Sequence, residues 1–160
     1  MSAVKSDKRT TKTKDENQVA AKSKSKTTTD KYVTNAKILL KLLVDRILDD
    51  SQPEKPIHYK ELAELAGLPT EWPALSSCMG KSLHTLGEML DALKIKVPVI
   101  QFMVVLKRNN LPSDGLGSLV PGYTPDLPID QKRALVKKEQ TRVIDYGKKW
   151  LDVVEQINTN

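Results

Sequence analysis

The chain has 160 residues, 39% of them hydrophobic, a formal net charge of +6 and one cysteine. This length suits one domain that buries a core, and the charge favours polyanionic partners such as DNA, RNA or a membrane surface without requiring one. The single cysteine, Cys78, excludes an intrachain disulfide and argues against a cysteine-based metal site.

Residues 1–30 are rich in Lys, Ser, Thr and Asp and contain almost no large apolar side chain. We predict a disordered basic arm, since such a segment buries too little surface to offset the entropy of ordering. The arm either contacts phosphates or acts as a solubilising tail, and both interpretations remain open. We see no signal-peptide core and no apolar run of about 20 residues. We therefore expect an intracellular, cytoplasmic protein (nucleoid-associated in a bacterium, nuclear in a eukaryote) with no membrane partner.

Residues 31–160 are expected to form a single domain. Apolar residues at helical spacing predict a first helix from Val33 to Leu48. Ile57–Tyr59 alternates in polarity and predicts a short strand. Tyr59–Ala66 predicts a second, amphipathic helix that ends at Gly67.

A third helix is predicted from about Pro73 to Leu93. Gly80 and Gly87 lie within it, and glycine at such positions permits the close approach of a neighbouring helix, a strand or a nucleic-acid backbone. The leucines and methionine that share one helical face define its buried side. They are Leu75, Met79, Leu83, Leu86, Leu90 and Leu93.

The segment "VPVIQFMVVLK", residues 97–107, is apolar and β-branched and predicts a strand buried on both faces. Residues 108–128 predict a long loop rich in Asn, Pro, Gly and Asp. Ile129–Ile157 then predicts one long C-terminal helix, which Gly147 bends.

This order of elements predicts a mainly α protein with a small β component (α+β), organised as a winged helix-turn-helix with a long C-terminal helix. The third helix would enter the major groove of DNA, and the loop after the strand would form the wing. A generic α+β bundle accounts for the same pattern and remains the alternative.

Double-stranded DNA is the partner that this arrangement favours. Hydroxyl, amide and cationic side chains on the exposed side of the third helix and at the strand end are suited to phosphates and base edges. The candidate residues are Tyr59, Ser76, Ser77, Lys81, His84, Thr85, Lys107, Arg108, Asn109 and Asn110.

Four features between residues 55 and 110 carry a family resemblance. They are "IHYKELA" at Ile57–Ala63, then Ala66-Gly67, Gly80, and Pro98 at the start of an apolar run. They resemble the DNA-binding domain of O6-alkylguanine-DNA alkyltransferases and alkyltransferase-like proteins, which carries "TYGELAxLAG", "RAVGxAL" and "PCHRVI". The resemblance implies a winged-helix fold with a DNA-facing surface, on which Tyr59 matches the family tyrosine that handles phosphate and base.

The chain departs from this family at its reactive residues. The alkyl-accepting cysteine of the family falls at Val99, and its histidine and arginine fall at Ile100 and Gln101. The arginine that penetrates the duplex falls near Ser77. The resemblance therefore argues against alkyl transfer.

Catalytic and cofactor patterns are missing from the rest of the sequence. The two histidines, His58 and His84, are 26 residues apart and have no metal-ligand spacing. Cys78 lies beside the buried stripe of the third helix, where a thiol is usually a small core residue. We therefore predict a protein that is not an enzyme and that needs no cofactor and no metal.

A different class of function is a protein-interaction adaptor or small homo-oligomer. The predicted C-terminal helix alternates charged blocks with apolar positions and can pair with a partner protein or with itself. Aromatic side chains would then anchor the interface. Those available are Trp72, Tyr123, Tyr146 and Trp150.

Overall fold

The computed structural model describes residues 29–160, so the predicted arm, residues 1–30, lies almost wholly outside the described residues. Its elements are α1 (29–48), β1 (Ile57–His58), α2 (Tyr59–Ala66), α3 (Ala74–Ala92), β2 (Val104–Val105), α4 (Ile129–Tyr146) and α5 (Lys149–Thr159). Two 3-10 helices cover Ile100–Met103 and Asp114–Leu119. The described part is mainly helical with a small two-stranded sheet, as the α-rich α+β prediction requires.

The sheet joins two strands that are far apart in sequence. β1 pairs with β2 in parallel, with Ile57 opposite Val104 and His58 opposite Val105. Both α2 and α3 lie between the two strands in the chain. A parallel connection needs such a crossover, so the sheet holds the ends of the α2–α3 pair together.

The predicted strand over residues 97–107 is wrong, because only Val104 and Val105 pair. The four residues before them form the first 3-10 helix, which is buried as predicted. β1 has only two residues, so no neighbouring strand extends the ladder. Instead of a strand, side chains of α4 bond to the backbone of this segment. The backbone N–H of Val99 donates to Glu139, and the Gln140 side chain donates to the carbonyl of Phe102.

The core is formed chiefly by α1, α3 and the segment that contains the first 3-10 helix. On α3, the predicted apolar stripe is buried, with Leu93 partly buried at its end. A Cβ at Gly87 would lie 3.2 Å from the Gln101 amide nitrogen, which confirms the close approach predicted there. At Gly80 no described residue approaches, since a Cβ would meet nothing within 4 Å, and the approach of a nucleic-acid backbone there stays a prediction.

The predicted single C-terminal helix, Ile129–Ile157, is also wrong, because the chain breaks into α4 and α5. The break is at Gly147, whose φ of 55° and ψ of −130° define a conformation that other residues rarely adopt. Beyond the break, Trp150 is fully buried and packs edge-on against Tyr146, with 4.8 Å between ring centroids. The break therefore turns the large indole into the core.

The α2–α3 pair has the order of a helix-turn-helix. α2 ends at Gly67, whose φ of 70° places it in the left-handed region. The predicted wing segment after β2 forms a tight turn in which the Leu106 N–H donates to the Leu111 carbonyl and the Asn110 N–H donates to the Leu106 carbonyl, both at 2.8 Å. Within residues 29–160 the only sheet is the parallel β1–β2 pair.

Candidate nucleic-acid interface

The outer face of α3 carries most of the helix residues predicted to bind DNA. Ser77, Lys81 and His84 are exposed, and they share a face because they recur at four- and three-residue spacing, while Ser76 is exposed on the neighbouring side of the helix. Thr85 is half-buried and lies at the margin of this face. The structure thus brings three of the five predicted α3 residues onto one surface, which we call the α3 face.

A cleft of about 170 Å³ opens beside the α3 face. α2 and α3 form one wall, and the second 3-10 helix with the residue before it forms another. The predicted residues Tyr59, Ser76 and His84 all line this cleft, together with the exposed Trp72. The remaining lining residues are mainly small or apolar: Leu75, Gly80, Leu83, Leu106, Ser113, Gly115, Leu116, Ser118 and Leu119.

Tyr59 borders the cleft rather than the open surface. Its hydroxyl oxygen accepts a hydrogen bond from the backbone N–H of Ser113 at 3.4 Å. Burial raises the pKa of Tyr59 to about 12, because the ionised form would lose its hydration. Tyr59 is therefore a neutral phenol at physiological pH and links α2 to the loop before the second 3-10 helix.

The four predicted residues at the strand end divide into two kinds. Lys107 and Arg108 are exposed at the tip of the turn. The side chains of the two asparagines hold the turn instead: Asn109 Oδ1 accepts from the Leu111 N–H at 3.0 Å, and Asn110 Oδ1 lies 3.1 Å from His58 Nε2. We call Lys107 and Arg108 the basic tip, and the asparagines are its support.

Charge is distributed unevenly along the chain. Residues 1–28 carry eight of the 26 basic and three of the 20 acidic residues, which leaves 18 basic and 17 acidic residues in the described part. α3 contributes a single lysine against two acidic residues, Glu88 and Asp91. His84 on the α3 face also pairs with Glu88 at 3.2 Å. The α3 face therefore offers hydrogen-bond donors but little positive charge.

Positive charge is concentrated in α4 and the elbow after it. Residues 129–149 carry seven basic and three acidic residues. From the sequence, these charged blocks were predicted to contact a protein partner or a second copy of the chain. The available sequence signal was their net positive charge, since the remainder of the described chain carries 11 basic and 14 acidic residues.

The aromatic anchors predicted for a protein interface are partly wrong. Trp150 and Tyr123 are buried in the core, with 0% and 4% of their surface exposed. Only Trp72 is well exposed among the four, at 68%. The exposed apolar side chains of the C-terminal region are Ile129, Ile144 and Leu151.

No family model, curated protein or solved structure matches the chain. The alkyltransferase resemblance therefore remains a prediction from the residues alone. Within residues 29–160, no cluster of three or more His, Cys, Asp or Glu side chains is placed to hold a metal ion. The helices of this part are also too short or too polar to cross a lipid bilayer.

Proposed function

We propose that the protein binds double-stranded DNA without catalysing a reaction, and that α2 and α3 act as its helix-turn-helix. The observation that carries the proposal is the uncovered α3 face, which presents Ser77, Lys81 and His84 to solvent while the opposite side of α3 is buried. A helix with such a face fits the major groove, which is about 12 Å wide. Serine and lysine are suited to phosphates and base edges there.

We also propose that this region has a winged-helix arrangement. The basic tip follows β2 after one residue and would serve as the wing. That residue, Leu106, lines the cleft beside the α3 face. The supporting bonds of Asn109 and Asn110 keep this turn compact. Lys107 and Arg108 would then contact the sugar-phosphate backbone next to the groove that α3 occupies.

We propose no catalytic group and no cofactor for this protein. Cys78 is 7% exposed and its sulfur lies within 3.7 Å of the Asn35 amide nitrogen, so it belongs to a buried contact between α1 and α3. His58 and His84 each face one partner, Asn110 and Glu88. These contacts support a structural role for Cys78 and His58.

Fluorescence anisotropy of the full chain with a labelled duplex of about 20 base pairs tests the proposal, titrated at several salt concentrations. Removing the basic tip with Lys107→Ala/Arg108→Ala should weaken binding to all duplexes and lower the slope of log affinity against log salt by about 2, since each lost phosphate contact removes about 0.9. Ser77→Ala/Lys81→Ala should reduce discrimination between duplex sequences. Lys37→Ala/Lys41→Ala on α1 removes the same number of charges as the tip variant and should bind as wild type.

Two outcomes would contradict the proposal. One is that replacing every basic residue of residues 1–28 by Gln abolishes binding while the tip and α3 variants bind as wild type. The other is that the wild type fails to bind duplex at physiological salt. The second outcome would favour self-association or a protein partner through the exposed Ile144 and Leu151, which sedimentation analysis would reveal.

A further inference from the structure

A basic concavity lies where the C-terminal end of α4 meets the segment before the first 3-10 helix. Lys96, Arg142 and Lys149 line it, with Asp145 and Tyr146, around a volume of about 350 Å³. Its lining residues thus include three cations and one carboxylate. We call this concavity the basic notch.

A buried carboxylate builds the notch. Glu139 is 5% exposed, and its Oε1 accepts the backbone N–H of Val99 at 2.8 Å. Its Oε2 pairs with Arg142 Nη1, also at 2.8 Å. A buried charge needs such partners. Glu139 thus ties the segment that contains Lys96 to α4 and holds the Arg142 guanidinium at the rim.

The cations of the notch remain accessible to a ligand. The Arg142 side chain is 55% exposed, and its guanidinium has five N–H donors, of which the bond to Glu139 uses one. Lys149 Nζ lies 5.6 Å from the Tyr146 ring centroid, a contact that leaves its charge unneutralised. The notch can therefore offer several donors to one phosphate group.

The outer surface of α4 continues the positive charge away from the notch. Arg133 and Lys137 form one column at four-residue spacing, and Lys138 and Arg142 form a second, all four exposed. From Arg133 to Arg142 the helix axis rises about 13 Å, which is the axial rise of about four base pairs. Lys132 does not belong to this surface, since its side chain is 12% exposed and pairs with Asp114.

We infer that the basic notch and the outer surface of α4 form a second DNA contact, which neutralises phosphates of the duplex backbone. The inference rests on the proposed function. In it, the α3 face contacts base edges in the groove, and α4 supplies the positive charge that α3 lacks. We choose the DNA backbone as the ligand because its negative charge complements the positive charge of this surface. The six exposed basic residues of 133–149 are suited to the regular row of phosphates on a nucleic-acid strand.

Two variants of the full chain test the inference in the same anisotropy experiment. Lys137→Ala/Lys138→Ala removes two exposed charges of α4 and disturbs no buried group, and Arg142→Ala/Lys149→Ala removes two charges of the notch. Each should lower the salt slope by about 2 and weaken binding tenfold or more near 150 mM salt, equally for all duplex sequences. Arg142→Lys/Lys149→Arg should restore the slope. Lys37→Ala/Lys41→Ala is the matched control and should bind as wild type.

The possible failures are distinguishable. If the wild type binds duplex and Lys137→Ala/Lys138→Ala binds equally well, with Ser77→Ala/Lys81→Ala impaired, the inference is wrong and the proposed function stands. If the wild type binds no duplex, both are wrong. If the α4 variants lose only the binding of phosphatidylserine vesicles, the surface recognises a membrane, which also overturns the inference.

Discussion

The indole Nε1 of Trp150 donates a hydrogen bond to the backbone carbonyl of Val143, 2.8 Å away. Val143 is among the last four residues of α4, whose carbonyls have no partner inside their own helix. The side chain of α5 thus satisfies a carbonyl of α4. The elbow at Gly147 is fixed by this bond as well as by the burial of the indole ring.

We expect Trp150→Phe to lower the free energy of unfolding by about 2 kcal/mol or more, since it leaves a buried carbonyl unsatisfied and removes core volume. Urea unfolding monitored by circular dichroism measures the change. Trp72→Phe is the control and should alter stability by less than about 0.5 kcal/mol, because the Trp72 side chain is exposed. Equal effects of the two substitutions would show that the bond to Val143 contributes nothing.

Two glycines should respond in opposite directions to alanine. A Cβ at Gly117 would lie 2.9 Å from the backbone oxygen of Tyr123, which cannot move aside easily. Gly117→Ala should therefore cost about 1–3 kcal/mol of stability. At Gly80 a Cβ has open space within α3, so Gly80→Ala should add about 0.5–1 kcal/mol, the difference in helix propensity. Thermal unfolding of both variants checks the pair, and a stabilising Gly117→Ala would contradict the packing described here.

A buried polar contact connects α1 to α3. Asn35 Nδ2 donates to Ser82 Oγ at 3.2 Å, and both residues are at least 94% buried. We predict that Asn35→Ala and Ser82→Ala each destabilise the protein, and that their effects are not additive, with a coupling energy of about 0.5–1.5 kcal/mol. A double-mutant cycle by urea unfolding measures it. Strict additivity would mean that the two side chains do not interact.

The raised pKa of Tyr59 predicts a loss of stability at high pH. Ionisation is easier in the unfolded chain, near pH 10, than in the folded protein, near pH 12. Stability contributed by the neutral phenol is therefore complete below pH 10 and is lost as the pH rises towards 12. Tyr59→Phe should flatten this part of the pH profile. Ultraviolet titration should show one fewer late-ionising tyrosine in the variant, and an unchanged late phase would contradict the assignment.

Local patterns predicted α2 well. Its apolar face and the glycine after it gave the bounds Tyr59–Ala66 and the end at Gly67, because helix periodicity and a left-handed cap are local properties. The strand predicted over 97–107 failed because continuous apolar runs indicate burial without fixing the backbone conformation. Val104 could pair only where β1 offered a partner, and β1 is two residues long.

The two candidate surfaces also differ in how far local sequence patterns predict them. The α3 face follows from the spacing of residues within one helix, so most of it was predicted. The basic notch depends on Glu139 bonding to Val99, 40 residues away, and on the elbow at Gly147 that brings Lys149 back beside Arg142. Neither contact has a local sequence signal. Composition alone indicated the excess of positive charge in this region.

The pairing of Ile57 with Val104 also has a consequence for folding kinetics. Closing a loop that contains all of α2 and α3 costs chain entropy, and the pairing of only two residues in each strand offsets little of that cost. We therefore expect the helices to dock before the strands pair, so that the sheet forms late. In native-state hydrogen exchange, the amide protons bonded between β1 and β2 would then become exposed in an opening of lower free energy than the opening that exposes those of α3.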